Sequence, residues 1–376
     1  LLPMFGSDDI LRQIPLEGRR FQMTARSWRE VLAHLEGTSR AMDIVYQPKL
    51  VGKLAEFLSD LEKVQIGIFG FLESKRVAFP RFYFFSNEEL LSLMSKGRNI
   101  GECTPFLSKI FMGMGQLNYR VVAAETALPE ENGSPESLPQ SRAARGAKMK
   151  ASAKGSSKED VVIASAASRL GELLTFPEPL SLRRYAGILE AWARGLEKTL
   201  HDAVRYAIFD AIATFDPANR VQWALERTIQ SAAVANHLHF TSSLTLALQD
   251  SHPSKALKSL RNWFLLQIEL ATQKLTAVED PLTPWQRVAL SNMVLADMAS
   301  RDELTTLIES QVQELYSVAY EATLRFSWVE ASQGQEAVPV TENTGPYNRL
   351  VEIQTLAGVI RYGHEYIGDD VRLVMT

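Results

Sequence analysis

For most of its length this chain places apolar residues at helical spacing. Between residues 50 and 72, Leu50, Leu54, Phe57, Leu58, Leu61, Ile68 and Leu72 recur with Glu56, Asp60, Glu62 and Lys63 between them, which predicts a long amphipathic helix. From residue 181 onward Leu182, Tyr185, Ile188, Leu189, Trp192, Leu196, Leu200, Val204, Ile208 and Ile212 hold one face. That is a rod of about 30 residues and roughly 45 Å. Pro217 closes it, and a second helix is expected through Trp223 and Ile229 towards Leu248. Pro253 opens a third through Leu257, Leu260, Trp263, Phe264, Ile268 and Leu275. Leu282-Thr283-Pro284-Trp285 opens a fourth that carries Leu290, Val294, Leu295, Met298, Leu304, Leu307 and Ile308 and extends towards Phe326. Long helices joined by short Pro-bearing turns predict an antiparallel bundle or a stack, and no fixed-period repeat favours the stack.

The first third is more broken. Residues 5–36 read as short helices and turns anchored by Trp28 and the apolar positions of 31–35. The helix from residue 50 runs into Lys75-Arg76-Val77-Ala78-Phe79-Pro80-Arg81-Phe82-Tyr83-Phe84-Phe85. Pro80 fixes its own φ and restricts Phe79 to extended geometry, so residues 81–85 are expected to form a short aromatic strand. Ser86 and Glu89 stand at capping-box spacing and start a helix with Leu90, Leu91, Leu93 and Met94 that stops near Gly97. Phe79, Pro80, Arg81, Phe82, Tyr83, Phe84, Ser86 and Glu89 therefore read as a structural joint between an incoming and an outgoing helix. Residues 104–112 resemble a second short helix, and 116–123 alternate like a strand.

Residues 126–160 are rich in Ser, Pro, Gly and Ala, acidic first and basic later. They hold too little apolar surface to offset the entropy of ordering and read as a disordered insertion. The basic stretch 142–158 reads as a solvated loop before it reads as an anion-binding arm. The predicted fold class is mainly α: an elongated multi-helix bundle with a few short β-strands, a hairpin and a terminal β segment.

Composition narrows the function classes. With 376 residues, 46% hydrophobic and 22% charged, the chain can bury a sizeable core. A net charge of -4 gives no overall basic field, which argues against nucleic acid as a partner. Cys103, the single cysteine, rules out an internal disulfide framework, fits a reducing compartment and reads as a surface or half-buried residue. No apolar run approaches the roughly 18 residues that span a bilayer, and no signal pattern opens the sequence, so no membrane is expected and the chain reads as soluble and intracellular. It begins Leu1-Leu2-Pro3 and ends Val371-Arg372-Leu373-Val374-Met375-Thr376, a strand without its turn, which reads as a piece of something larger.

Candidate chemistry is sparse. There is no Gly-x-x-x-x-Gly-Lys-Ser/Thr loop to cradle phosphates and no Gly-x-Ser-x-Gly elbow. His237 and His239 lie two apart on a predicted helix, so they point to different faces, and no metal site is expected there. The pairs Asp8-Asp9, Glu88-Glu89 and Asp369-Asp370 read as cap or surface groups, and no catalytic residue is assigned. Trp192, Trp223, Trp263 and Trp285 fall on apolar faces of separate helices, where core packing explains them better than a base-stacking or cofactor role.

The stretch Lys75 to Leu91 resembles a signature in the linker region of dynein heavy chains, where a long helix meets an Arg-x-Ala-Phe-Pro-Arg-Phe-Tyr-Phe element and then a capped acidic helix. Ser27-Trp28-Arg29-Glu30-Val31-Leu32 is similar to a Thr-Trp-Arg-x-Ile-Met element, with Ala25 where an Asp is usual. Val294-Leu295-Ala296-Asp297 with Arg301-Asp302 resembles a Val-x-Ile-x-x-His-x-Arg-Asp segment and departs from it over 297–299. Leu324-Arg325-Phe326-Ser327-Trp328 is similar to a Leu-Arg-Tyr/Phe-Tyr-Trp element, with Tyr320 where a Trp is usual. Tyr362-Gly363-His364-Glu365-Tyr366-Ile367-Gly368, followed by Arg372-Leu373-Val374-Met375-Thr376, resembles Tyr-Gly-Tyr-Glu-Tyr-Leu-Gly and Arg-Leu-Val-x-Thr at the start of the first AAA+ module.

The resemblance implies a mechanical linker, a lever lying across the AAA+ ring of an ATP-driven, minus-end-directed microtubule motor. Residues 1–125 would be a linker subdomain with the joint, 126–160 an insertion, 161–340 the long-helix bundle, and 341–376 the junction and first strands of the ring. The resemblance also implies a short hairpin at the position of the insertion, with residues 161–165 and 173–176 as its remaining strands. It implies ATP and Mg in the parent motor and no cofactor in this fragment, with Leu373 and Val374 in the vicinity of the adenine of the first AAA+ site. Implied partners are the ring of the same chain, dynein intermediate, light intermediate and light chains, and the microtubule through the parent stalk. The implied location is cytoplasm and cytoskeleton, with axoneme or cilium open. Two other readings stay in view: a helical scaffold for protein interaction without motor activity, and an all-helical enzyme, which would need a deep polar cleft.

Overall fold

The computed structural model describes residues 13–36, 49–96, 100–123, 159–185, 188–330 and 349–369. Helix α1 (Pro15–Glu36) is one continuous helix rather than short pieces, because Pro15 stands in its first turn, where a missing N–H costs nothing. It pairs with α2 (Leu50–Ala78), where Trp28 meets Phe57 edge to face with ring centres 6.2 Å apart. The expected apolar face of α2 divides in two. Val64, Ile68 and Leu72 are buried, whereas Leu54, Leu58 and Leu61 nearer its start are exposed.

Residues Pro80–Phe84 form a 3-10 turn, not the expected strand. Phe79 does adopt extended geometry (φ -139, ψ 97), but the N–H of Phe82 then bonds to the Phe79 carbonyl and that of Phe85 to the Phe82 carbonyl. The reason lies in the aromatic spacing. Phe79, Phe82 and Phe85 recur every third residue, the period of a 3-10 helix, and all three are buried while Tyr83 and Phe84 face solvent. Helices α3 (Asn87–Lys96) and α4 (Ile100–Ile110) follow. Glu89 N–H donates to Ser86 Oγ and Ser86 N–H to Glu89 Oε2, the capping box anticipated from the sequence. The stop near Gly97 lies outside the described residues. Cys103 on α4 is fully buried rather than half-exposed, and burial pushes its thiol up to about 11.

Strands β1 (Gln116–Ala123), β2 (Glu159–Ala167) and β3 (Leu173–Ser181) make an antiparallel meander. The insertion proposed over 126–160 lies, apart from its last two residues, outside the described residues. The sheet packs on α5 (Leu189–Ala213). The expected rod from residue 182 starts late: Leu182–Tyr185 is a 3-10 turn, and its Tyr185 ring lies over Gly195, where a Cβ would collide with the hydroxyl. The remaining face of α5 is as the spacing predicted, with Leu189, Trp192, Leu196, Leu200, Val204 and Ile208 in one core with Val64, Phe79, Phe82 and Leu117.

A second group of helices follows. The element expected through Trp223 to Leu248 is divided into α6 (Arg220–Leu225) and α7 (Ile229–Gln249), because the Thr228 side chain accepts from Ser231 N–H and starts a new helix. Helix α8 (Pro253–Thr276) matches the expectation, and α9 (Pro284–Glu309) starts at Thr283, whose N–H donates to Gln286 Oε1 at 3.0 Å. Helix α9 ends well short of Phe326: Gln311 turns left-handed (φ 52) and the Val312 N–H closes on the Leu307 carbonyl. After α10 (Val318–Glu321) come β4 (Arg325–Glu330), β5 (Arg349–Thr355) and β6 (Gly358–Arg361), a second antiparallel sheet. Phe326 and Val351 join it to the main core. Trp192 and Trp223 are buried, and Trp263 and Trp285 are half-buried. Among the described residues no helix is long and apolar enough to cross a membrane.

Candidate functional site

The 3-10 turn places Arg81 where three parts of the chain converge. Its guanidinium bonds to both oxygens of Glu365 at 2.7 Å, to Glu197 of α5 at 2.7 Å, and to the Ile110 carbonyl at the end of α4 at 2.8 Å. It also lies over the Phe111 ring, 5.0 Å from its centre. A planar fork suits this task because its donors diverge in fixed directions and can hold a carboxylate at two points. Its pKa is raised, chiefly by the hydrogen bond to Glu365. Burial opposes ionisation of Glu365, but hydrogen bonds from His201 and Arg81 outweigh it and hold the carboxyl down at about 2. His201 Nε2 lies 2.9 Å from Glu365 Oε2.

Helix α5 meets the joint with one polar stripe. Lys75 near the end of α2 pairs with Glu190 at 2.6 Å, Arg194 donates to the Ala78 carbonyl, Glu197 takes Arg81, and His201 takes Glu365. Positions 190, 194, 197 and 201 are four, three and four apart, so one helix face carries all four. On the other side, the Phe79, Phe82 and Phe85 rings form an aromatic chain that reaches Phe106 of α4.

The segment 362–368 threads back into this core. Gln230 of α7, almost wholly buried, donates from Nε2 to the Tyr362 hydroxyl and to the Glu365 carbonyl, both at 2.7 Å, and its Oε1 accepts from Ile367 N–H at 3.3 Å. Tyr366 donates its hydroxyl to Glu172 at 2.9 Å, and Glu172 also accepts the N–H of Ile229 at the start of α7. Gly113 N–H bonds to the Tyr366 carbonyl, and Gly113 lies so close to Gly368 (φ 56) that a Cβ on either would strike the other's backbone. His364 has φ 53, and its buried Nε2 has no partner among the described residues; burial first, then nearby Arg205 and His201, press its pKa down to about 4.

Comparison with known proteins decides the family. Residues 1–211 match the family described as dynein heavy chain, N-terminal region 2. The chain belongs to the dynein heavy chain family. It is similar to mouse dynein axonemal heavy chain 3, at 24% identity over all of this chain and 8% of that protein. Human dynein axonemal heavy chain 6 is 26% identical over 99% of this chain and 8% of its own length, and rat dynein axonemal heavy chain 1 is 26% identical over all of this chain and 7% of its own. The chain thus spans less than a tenth of the length of these dynein relatives.

Of the residues the sequence singled out, Phe79, Pro80, Arg81 and Phe82 meet at the convergence just described, Ser86 and Glu89 cap α3 beside it, and Tyr83 and Phe84 point away to solvent. Glu89 is also paired with Lys109 of α4. Leu373 and Val374 lie outside the described residues. His237 stacks on Phe326 with ring centres 4.6 Å apart, while His239 packs against Phe215 and Trp263; burial lowers both pKa values to about 4. Reading the sequence missed Glu190, Glu197, His201 and Gln230, because each stands on a helix read for its apolar positions, and Glu172, which lies in the turn between β2 and β3. The spacing of charged groups on α5 was the available signal. It also missed Arg220, which pairs with Asp297, a residue noted only for its departure from the dynein pattern.

Proposed function

We propose that this chain is the mechanical linker of a dynein heavy chain, carrying displacement from an AAA+ ring along its packed helices. The observation that carries the reading is the convergence at Arg81, whose side chain ties the turn that follows α2 to α4, α5 and the segment through Glu365. Side chains packed at crystal-like density with charge-assisted bonds pass on a displacement that a loop would absorb. In this reading residues 1–125 and 161–340 form the lever, 126–160 is an insertion, and 341–376 is the junction to the ring.

ATP and Mg would be bound in the rest of the heavy chain, with Leu373 and Val374 near the adenine of the first site. The motor would move on microtubules through a stalk elsewhere in the chain and would assemble with dynein intermediate, light intermediate and light chains. The relatives above are axonemal dynein heavy chains, which favours a place in a cilium.

A fluorescence distance measurement tests the proposal. With one label at exposed Lys258 on α8 and another on the ring of the full heavy chain, the distance is expected to change between the nucleotide-free and ATP-bound states. A distance unchanged by nucleotide, in a motor that still turns over ATP, would remove the lever reading and leave a static scaffold.

A further inference from the structure

The seam between α7 and α9, bordered on one side by the β4–β6 sheet, holds a partly open cavity of about 430 Å3. It exists because facing positions are small: Ala232 and Ala233 on α7, and Ala289, Ala296 and Ala299 on α9. Phe326, Ile353 and Ile360 supply an apolar wall from the sheet. The volume falls within the range of about 300–1,000 Å3 in which proteins enclose small organic ligands.

Two of its polar groups, Asn292 and Glu303, stand without partners among the described residues. Asn292 is 5% exposed and lines the cavity, yet among the described residues neither its amide nitrogen nor its oxygen has a partner. Native interiors rarely leave both ends of a buried amide unpaired. Glu303, about three turns further along α9, has no ion pair or hydrogen bond among the described residues, and burial alone raises its pKa to about 7. His237, opposite on α7, is held neutral by burial and by Arg220. Among the described lining residues Glu303 is the one carboxylate, and no lysine or arginine balances it.

We propose that this cavity binds a small apolar molecule bearing one protonated amine, with the amine paired to Glu303 and the apolar body against the alanines and the sheet. The walls favour a hydrophobic body, since apolar surface removed from water is stabilising in proportion to its area. The carboxylate sets the charge: an anion is repelled, and a neutral ligand strips water from Glu303 without replacing it. Asn292 offers an acceptor to a second N–H of the ligand. This assignment is independent of the lever reading.

Equilibrium dialysis of radiolabelled tryptamine against the full polypeptide that carries residues 1–376 tests the site. Its neutral analogue tryptophol and its carboxylate analogue indolepropionate serve as competitors. Expected is saturable tryptamine binding, with both analogues weaker by about tenfold or more, the scale of a charge-assisted contact. Glu303→Gln keeps the shape and removes the charge; it should weaken tryptamine by a similar factor and should not weaken tryptophol. Ala296→Leu fills the space and should abolish both. Absence of saturable binding, equal affinity for tryptamine and tryptophol, or binding indifferent to Glu303→Gln would each overturn the proposal.

Discussion

Arg220 of α6 and Asp297 of α9 meet fork to fork at 2.7 and 2.6 Å, with side chains 1% and 2% exposed. Arg220 Nε donates to Asn236 of α7 at 3.1 Å, and the guanidinium lies over the Trp263 ring of α8. One side chain thus fixes the relative placement of four helices. Taking two charges out of water is unfavourable, and only near-ideal geometry with every donor occupied offsets it. Losing one partner strands the other. Asp297→Ala or Arg220→Met is expected to lower stability by about 3–5 kcal/mol, whereas the double replacement Arg220→Met/Asp297→Leu loses less than either. Urea unfolding of the three variants checks this, and a double variant weaker than both singles would contradict it.

Glu172 gives a pH dependence of definite sign. Burial raises its carboxyl from an ordinary 4.5 to about 7, against the pull of hydrogen bonds from Ile229 and Tyr366. A folded-state value above the unfolded one means that the folded chain holds the extra proton between the two. The stability from this group is therefore complete below the unfolded value and is lost as pH rises through about 7. Glu172→Gln keeps an oxygen for Ile229 and cannot ionise. It should reduce the loss of stability between about pH 5 and about pH 8 by on the order of 2 kcal/mol. Urea midpoints at the two pH values report it, and a variant with the wild-type slope would contradict it.

Gly113 and Gly368 permit the return of the C-terminal segment. A Cβ at Gly113 would meet the backbone of Tyr366, Ile367 and Gly368, which has no flexible end to move aside. Gly113→Ala is expected to loosen this docking at about 1–3 kcal/mol. Hydrogen exchange should quicken at the Ile367 amide, which bonds to Gln230, while amides of α8 stay protected. Unchanged exchange at Ile367 would show that the close approach is not required.

The helices were largely legible because burial of one face imposes a period that the sequence cannot hide. Pro253 and Pro284 marked two helix starts, and the Ser86/Glu89 box marked a third. Errors arose where two rules competed. The β-propensity of Phe82, Tyr83 and Phe84 suggested a strand, while the three-residue recurrence of Phe79, Phe82 and Phe85 already encoded the 3-10 turn. Helix α9 was extended too far because its apolar pattern runs past Gln311, whose left-handed φ no period reports. The partners of Arg81 were illegible for another reason. Glu197 and Glu365 lie 116 and 284 residues away in sequence, and only the folded chain brings them together.

The Arg81–Glu365 contact bears most directly on the lever account. Glu365→Gln and Arg81→Met each remove the same two-point bond, so a cycle of the two singles and the double isolates it from other effects. The decisive measurement is microtubule gliding velocity divided by ATP turnover in the full heavy chain. Each single variant should lower this ratio by about fivefold or more, with turnover retained and the double variant no worse than the singles. A ratio unchanged in both singles would mean that motion does not pass through Arg81, and the lever account would fail.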